Sequence, residues 1–220
     1  MVSVSEAVLS RRSIRSFLNK PVEGKLIREI LEKSSKSPSG GNLQPWKIFV
    51  INNNMMKEFL EFQKNWSEPD VSEYPIYPEK LKEPYRTSRF EVGEQLYSSL
   101  GIPREDKNAR LQQMLMNFKF FGAPAGLFCF VDRQMNLPQW SDLGMFLQTF
   151  MLLAQESSLD TCAQESWSIK QNMVSKFIGA DNDLMLFCGM AIGYKDYDAA
   201  INNFERTRRP IDDWAYFMDK

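Results

Sequence analysis

The chain reads Ser-Pro-Ser-Gly-Gly-Asn-Leu-Gln-Pro-Trp from residue 37 to residue 46, a polar turn between a predicted helix and a predicted strand. Pro38 prevents the preceding helix from continuing. Gly40 and Gly41 accept backbone conformations closed to other residues and let a ligand approach the backbone closely. Three side chains then offer short donors and acceptors: Ser39, Asn42 and Gln44. The turn is therefore either an ordinary connection or a binding loop, and the residues leave both readings open.

Helices and strands are predicted to alternate along the rest of the chain. Apolar residues spaced three and four apart predict an amphipathic helix over residues 23–37, and a β-branched run predicts a buried strand over 46–51. Further strands are predicted over 125–131, 159–163 and 184–194. Further helices are predicted over 5–12, from 55, over 89–100, 104–121 and 138–158, and from Ser166, as a possible N-cap, to 178. No internal repeat or linker interrupts the chain, which predicts a single domain over residues 1–220.

Composition excludes several classes of protein. The net charge of the 220-residue chain is −1, so no overall field attracts nucleic acid or a membrane. The chain contains no histidine, which excludes Ser-His-Asp and Cys-His catalysis and most zinc sites, so no metal site is predicted. The cysteines lie in apolar runs and are predicted to be buried, reduced thiols: Cys129, Cys162 and Cys188. Neither a secretory signal nor a membrane span is recognisable, which predicts a cytoplasmic protein.

Two basic clusters lie far apart in the sequence. The first is Arg11-Arg12-Ser13-Ile14-Arg15, and the second contains Arg206 and Arg208. Because guanidinium groups match phosphate oxygens, the two clusters are predicted to converge on one anion, although a solvated basic surface would look similar. The start of a helix near Gln164 offers backbone N–H groups as well. A phosphorylated planar cofactor fits these features, and neither a Rossmann motif nor a P-loop is present.

The segment from residue 65 to residue 104 begins with a loop rich in proline and aromatic residues. Long loops within compact domains are usually functional or disordered, and the aromatic content argues against disorder. The loop is predicted to be a lid or wall over a substrate pocket, or else an arm on a partner subunit. Residues 145–154 are almost wholly apolar, which predicts burial of that helix between two subunits. The aromatic residues of the tail, residues 211–220, are predicted to pack against other parts of the protein.

Four motifs, taken in order, resemble the FMN-dependent nitroreductase family over residues 5–213. They are Arg11-Arg-Ser-Ile-Arg-Ser-Phe17, Ser37-Pro-Ser-Gly-Gly-Asn-Leu-Gln-Pro-Trp46, Cys162-Ala-Gln-Glu-Ser-Trp167 and Arg206-Thr-Arg-Arg-Pro210. Shorter segments, such as Phe-Phe-Gly-Ala-Pro at 120–124, are most similar to the nitrobenzoate reductase branch. The resemblance implies an α+β fold with a central, mostly antiparallel sheet flanked by helices. It also implies an intertwined homodimer with two FMN sites, each using residues of both chains.

The resemblance assigns the cofactor contacts residue by residue. Residues matching those on the FMN phosphate are Arg11, Arg12, Ser13, Arg15, Arg206 and Arg208. Residues matching the loop on the flavin ring and ribityl chain are Pro38, Ser39, Gly40, Asn42 and Gln44, and the turn facing flavin N5 matches Gln164 and Glu165. A cation near flavin N1 is not matched, and its candidates are Arg86, Arg89 and Lys119. Aromatic candidates for stacking on a flat substrate are Tyr74, Tyr77, Tyr85 and Phe120.

The resemblance implies that NADH or NADPH passes hydride to FMN N5, and that a nitroaromatic then takes two electrons in the same pocket. One pocket used alternately gives ping-pong kinetics, with no catalytic side chain required. An ene-reductase, a reductive dehalogenase or a flavin reductase on the same fold is an alternative. A flavin-storage protein without turnover, or a basic protein that binds no flavin, is another.

Overall fold

The computed structural model describes residues 2–218, in which four strands form one antiparallel sheet. The order across the sheet is β1-β2-β4-β3, so β1 and β3 are the edges. The strands are β1 Trp46–Asn52, β2 Ala125–Asp132, β3 Asp160–Gln164 and β4 Leu184–Gly193. All four lie where the apolar runs predict them. Every neighbouring pair is antiparallel, as the resemblance implies.

Seven α-helices surround the sheet in the described part of the chain. They are α1 Val4–Ser10, α2 Gly24–Ser34, α3 Asn54–Asn65, α4 Tyr85–Ser99, α5 Lys107–Leu115, α6 Leu137–Glu156 and α7 Gln171–Ile178. Ser3, which with Ser5 is one of the two serines that the sequence offers as an N-cap, caps α1 through reciprocal hydrogen bonds with Glu6. Short 3₁₀ segments occupy Gly40–Asn42, Met116–Gly122, Glu165–Lys170, Ala200–Asn202 and Ile211–Asp213. None of the helices within residues 2–218 has the length and apolarity to cross a membrane.

Helices cover both faces of the sheet and create two apolar layers. Alternate side chains of β2 enter opposite layers, with Phe128 and Phe130 in one and Leu127 and Cys129 in the other. The first layer also contains residues of α3 and α7, and the second contains residues of α2 and α6. A central strand covered on both faces must be apolar throughout, which explains the unbroken apolar sequence of β2.

Several surfaces predicted to be buried are exposed within one chain. In β1 only Ile51 is buried, so the prediction of a buried strand is wrong for the single chain. Trp46, Ile48 and Val50 instead line an open cavity of about 570 Å³ beside α2. In α6, Phe146 and Phe150 are buried but Met145 is exposed. The tail residue Trp214 is exposed as well. The helix α5 also has exposed apolar side chains, at Leu111, Met114 and Leu115.

The loop that precedes α4 is fastened to the core by polar side chains in its first half. Asp70 forms an ion pair with Lys170 at 3.1 Å and accepts a hydrogen bond from the Met173 N–H at 2.9 Å. Glu73 pairs with Arg133 at 2.7 Å. The structure therefore favours a fixed wall over a mobile lid.

The start of α7 differs from its predicted position. The prediction that Ser166 caps this helix is wrong, because a 3₁₀ segment follows β3 and α7 begins only at Gln171. The first turn of α7 receives its side-chain acceptor from the loop before α4, because Asp70 accepts a hydrogen bond from the Met173 N–H.

Candidate functional site

The two basic clusters meet beside the edge of the sheet. Ile14 is buried, its N–H donates to the Thr161 carbonyl of β3 at 3.0 Å, and Phe17 is buried as well. These apolar anchors fix the intervening segment, whose charged residues border a cavity of about 320 Å³. The polar and charged residues lining this cavity are Arg11, Arg12, Ser13, Glu205, Arg206 and Arg208. The prediction that both clusters converge on one place agrees with this geometry.

Arg206 forms no ion pair within residues 2–218, although the carboxylate of Glu205 lines the same cavity. Its Nη2 donates to the Ser13 carbonyl at 3.0 Å, but its buried Nη1 has no hydrogen-bond partner within residues 2–218. Burial, followed by the charges of Arg15 and Arg12, lowers the pKa of Arg206 to about 10. Burial and Arg208 likewise lower the pKa of Arg11. A buried donor among like charges favours an anion as its partner.

A second, larger cavity of about 620 Å³ adjoins the end of β3. Arg15, Gln164 and Glu165 line it together with aromatic residues of the 116–122 segment. The Gln164 side chain points into the protein, since its Nε2 donates to the Asn117 carbonyl at 2.7 Å. The first N–H groups of the 3₁₀ segment that begins at Glu165 lack intrahelical acceptors, so the backbone of this turn offers donors.

The glycine-containing turn lies elsewhere in the chain. Ser39 Oγ accepts a hydrogen bond from the Gln44 N–H at 3.0 Å, and the Gln44 side chain donates to the Asn42 carbonyl at 3.2 Å. Asn42 and Gln44 both have positive φ angles, of 59° and 50°. Neither of the two cavities is lined by any residue from Pro38 to Gln44. A single chain thus places the arginines and the Gln164 turn at the two cavities. The loop from Pro38 to Gln44 does not line either of them.

Asp142 of α6 holds the turn in place, a role that sequence reasoning did not identify. The side chain is buried, and both carboxylate oxygens accept from the Gly40 N–H, at 3.3 and 3.2 Å. Sequence alone gives no signal for this contact, because 102 residues separate its partners.

Replacing Asp142 with alanine is expected to loosen the turn. The Gly40 N–H would lose its charged acceptor, which costs about 1–3 kcal/mol of unfolding free energy. Denaturant unfolding measures that loss, and hydrogen-exchange mass spectrometry should find faster exchange over residues 40–44. Asp142→Asn is the matched control, since its amide oxygen still accepts and should preserve most of the protection. Unchanged exchange in the alanine variant would contradict this role.

The structure separates the four aromatic candidates. Tyr77 lines the second cavity. Tyr74 donates to the Phe187 carbonyl and packs against Trp140, and Phe120 is fully buried, so neither of these two rings is free to stack on a substrate. Tyr85 is 61% exposed and lies outside that cavity.

The cationic candidates are separated in the same way. Arg89 lines the second cavity, with its guanidinium carbon 4.1 Å from the centroid of the Tyr77 ring. Arg86 is paired with Glu83 at 2.6 Å, and Lys119 is exposed and does not line that cavity. Arg89 is therefore the candidate that the geometry favours.

Replacing Glu165 with glutamine is expected to change how stability depends on pH. Partial desolvation at the wall of the second cavity raises the pKa of the Glu165 carboxyl, which is still accessible to solvent in the single chain, so the folded state binds this proton more tightly than the unfolded state. The stabilisation of the folded state by this tighter proton binding is complete below the ordinary pKa of a glutamate. It is lost as the pH rises through the raised pKa of the folded state. The melting temperature of Glu165→Gln should exceed that of the wild type at pH 8, and the difference should shrink toward pH 4. The exposed Glu58→Gln serves as the control, and parallel pH profiles for both variants would contradict the expectation.

Comparison with known proteins agrees with this geometry. The sequence model of the Nitroreductase family matches residues 8–194. The chain is 35% identical to a 4-nitrobenzoate reductase from Pseudomonas putida, covering 96% of this chain and 93% of that protein. It is 31% identical to a nitrobenzene nitroreductase from Ectopseudomonas oleovorans, covering 98% and 96% of the two chains.

Solved structures have the same fold. The FMN and NADPH-dependent nitroreductase NfnB from Sphigopyxis sp. strain HMH superposes with a TM-score of 0.92 at 39% identity, covering 99% of this chain and 100% of that chain. An FMN-dependent nitroreductase NfnB from Mycobacterium smegmatis gives 0.90 at 23% identity, covering 98% and 97% of the two chains, which supports the fold alone. The predicted α+β class and the resemblance to nitrobenzoate reductases are confirmed. The chain belongs to the nitroreductase family.

Proposed function

We propose that the protein is an FMN-dependent oxidoreductase that uses NADH or NADPH to reduce nitroaromatic or related small planar acceptors by a ping-pong mechanism. The observation that carries the proposal is the arginine-rich cavity, where four guanidinium groups face the single carboxylate of Glu205, beside the cavity lined by the Gln164 turn. Relatives with at least 31% identity over nearly the whole chain are named nitroaromatic reductases.

The arginine cavity fits the phosphate of FMN. The buried Nη1 of Arg206 needs an acceptor, and a phosphate monoester supplies anionic oxygens with a charge of about −1.5 to −2. Arg11, Arg12 and Arg208, with the Ser13 hydroxyl, would complete the phosphate site. Arg15 lines the neighbouring cavity and would lie between the phosphate and the ring system.

The second cavity would then receive the flavin ring. The backbone N–H groups of the turn at Gln164 and Glu165 would face the ring, and Arg89 would place positive charge at its edge. FMN, when bound, supplies the two-electron transfer between a nicotinamide donor and an aromatic acceptor. The protein would bind, orient and shield the reactants.

The remaining cofactor contacts would come from a second copy of the chain. Pro38, Ser39, Gly40, Asn42 and Gln44 line neither cavity, although the resemblance assigns them to the flavin. An intertwined homodimer, in which this loop reaches the partner's flavin, accounts for their position. It also accounts for the exposed Met145 face of α6 and for the exposed tail.

We also propose that residues 1–220 form a single domain and that the protein works in the cytoplasm. The three cysteines are free and buried, as is usual in a reducing compartment. The partners would be the second subunit and a small aromatic substrate, with no nucleic acid or membrane involved.

The test is an absorbance spectrum of the purified, untagged protein, followed by anaerobic mixing with NADH or NADPH. Flavin bands that bleach with either donor, and return when a nitrobenzoate is added, would support the proposal. Bands that stay unchanged with both donors would instead indicate a flavin-storage protein. A colourless protein that also fails to bind added FMN would refute the cofactor assignment.

A further inference from the structure

The fully buried side chain of Asn202 links the two stretches of chain that carry the basic clusters. Its Oδ1 accepts a hydrogen bond from the Arg15 N–H at 2.8 Å, across 187 positions of sequence. Its Nδ2 donates to the Ser16 carbonyl at 2.8 Å and to the Asp196 carbonyl at 2.9 Å. These partners fix the orientation of the amide, since one offers an N–H and the other two offer carbonyl oxygens.

The contacts of Asn202 lie directly beside the arginine cavity. Two residues further along the chain, the Phe204 carbonyl accepts a hydrogen bond from Nη1 of Arg12 at 3.2 Å. Two residues beyond that, Arg206 donates to the Ser13 carbonyl at 3.0 Å. The buried amide therefore sets the spacing between the two stretches of chain whose side chains line the cavity.

Like charges in the two basic clusters oppose their approach to each other. Besides burial, which is the larger cause, the positive charges of Arg15, Arg12 and Arg208 lower the pKa of Arg206. The bonds of a neutral amide do not add to this repulsion, so Asn202 can hold the clusters close together before an anion binds. A site whose donors are already in place binds its ligand more tightly, because less conformational freedom is lost on binding.

We infer that Asn202 is a positioning residue that holds the two basic clusters at the spacing a phosphate monoester requires, and that it thereby sets the preference of the protein for FMN over riboflavin. Asn202 lines neither the arginine cavity nor the proposed flavin cavity, so it acts through the backbone of Arg15 and Ser16 and does not touch the cofactor. The inference rests on the proposed function, because it requires the FMN phosphate to lie in the arginine cavity.

The experiment titrates the full-length apoprotein with FMN and with riboflavin, which lacks only the phosphate, and follows the flavin fluorescence. The wild type should bind FMN the more tightly. Asn202→Ala should reduce the ratio of the riboflavin dissociation constant to the FMN dissociation constant about tenfold, the effect of weakening one charge-assisted contact, and should leave riboflavin binding unchanged. Asn202→Ser, which keeps a hydroxyl and leaves a smaller void, should reduce the ratio less, and it decides the question if the alanine variant does not fold.

Asn203→Ala is the matched control, because the neighbouring asparagine donates only to the nearby Tyr197 and Ala199 carbonyls, at 2.7 and 3.3 Å. It should leave both dissociation constants unchanged. A ratio in the Asn202 variants equal to that of the wild type, or an equal weakening of both flavins, would overturn this inference and leave the proposed function in place. Wild-type protein that binds neither flavin, or binds the two equally, would refute the proposed phosphate site, and this inference with it.

Discussion

Replacing Arg206 with methionine is expected to weaken FMN binding and, at the same time, to stabilise the apoprotein. The FMN dissociation constant should rise roughly 10- to 100-fold, because a charge-assisted bond to the phosphate is lost. The cofactor-free protein should gain about 1–2 kcal/mol of unfolding free energy, because a buried charge without a partner is removed. FMN fluorescence titration measures the first effect and denaturant unfolding of the apoprotein measures the second.

The opposite signs distinguish an anion site from an ordinary structural arginine. Arg133→Met is the control, since Arg133 pairs with Glu73 at 2.7 Å and lines neither of the two proposed cofactor cavities. It should lower stability slightly and leave FMN affinity unchanged. An Arg206→Met apoprotein that is less stable than the wild type would indicate that Arg206 has a structural role instead.

Replacing Gly189 with alanine is expected to cause a large loss of stability. A Cβ at this position of β4 would lie 2.9 Å from Cγ of Trp167, a ring that is fully buried among Phe59, Phe118 and Phe128. Such overpacking costs about 1–3 kcal/mol or more. Because Trp167 belongs to the 3₁₀ segment that begins at Glu165, its displacement should also move the proposed flavin turn and reduce FMN retention.

The same substitution at Gly93 supplies the control. A Cβ there meets no atom within 4 Å, and Gly93 lies within α4, where alanine is the better helix former. Gly93→Ala should leave stability unchanged or raise it by up to about 1 kcal/mol. Thermal unfolding of the two variants in parallel tests the expectation, and equal melting temperatures would contradict it.

Local sequence patterns were sufficient to predict most of the secondary structure. The strands that contain Val131 and Met190 are long apolar runs. Such runs predict central strands, because a strand covered on both faces needs apolar side chains at every position. The helix over α2 was predicted from apolar residues in its characteristic spacing. The helix boundaries were less accurate, because α7 takes its acceptor from Asp70, about 100 residues earlier in the chain.

Contacts between distant residues account for what sequence alone did not reveal. The exposure of Val50 depends on how far α2 and α6 cover that face of the sheet, which its apolar sequence does not show. Tyr74 and Phe120 have the composition expected of a binding pocket, yet both serve as packing residues. Asp142 went unnoticed because it acquires its role only where α6 meets the turn at Gly40.

The fastened loop before α4 also bears on how this protein can diversify. Its first half is tied down by Asp70 and Glu73, while the stretch from 75 to 84 leads to the cavity wall at Tyr77 and Arg89. Mutations in this second stretch can reshape substrate selection while the anchoring ion pairs preserve the scaffold. A combinatorial library confined to residues 75–84 is therefore a rational starting point for evolving activity on new electron acceptors. Substitutions there would change how the acceptor is recognised and leave the residues that stabilise the fold in place.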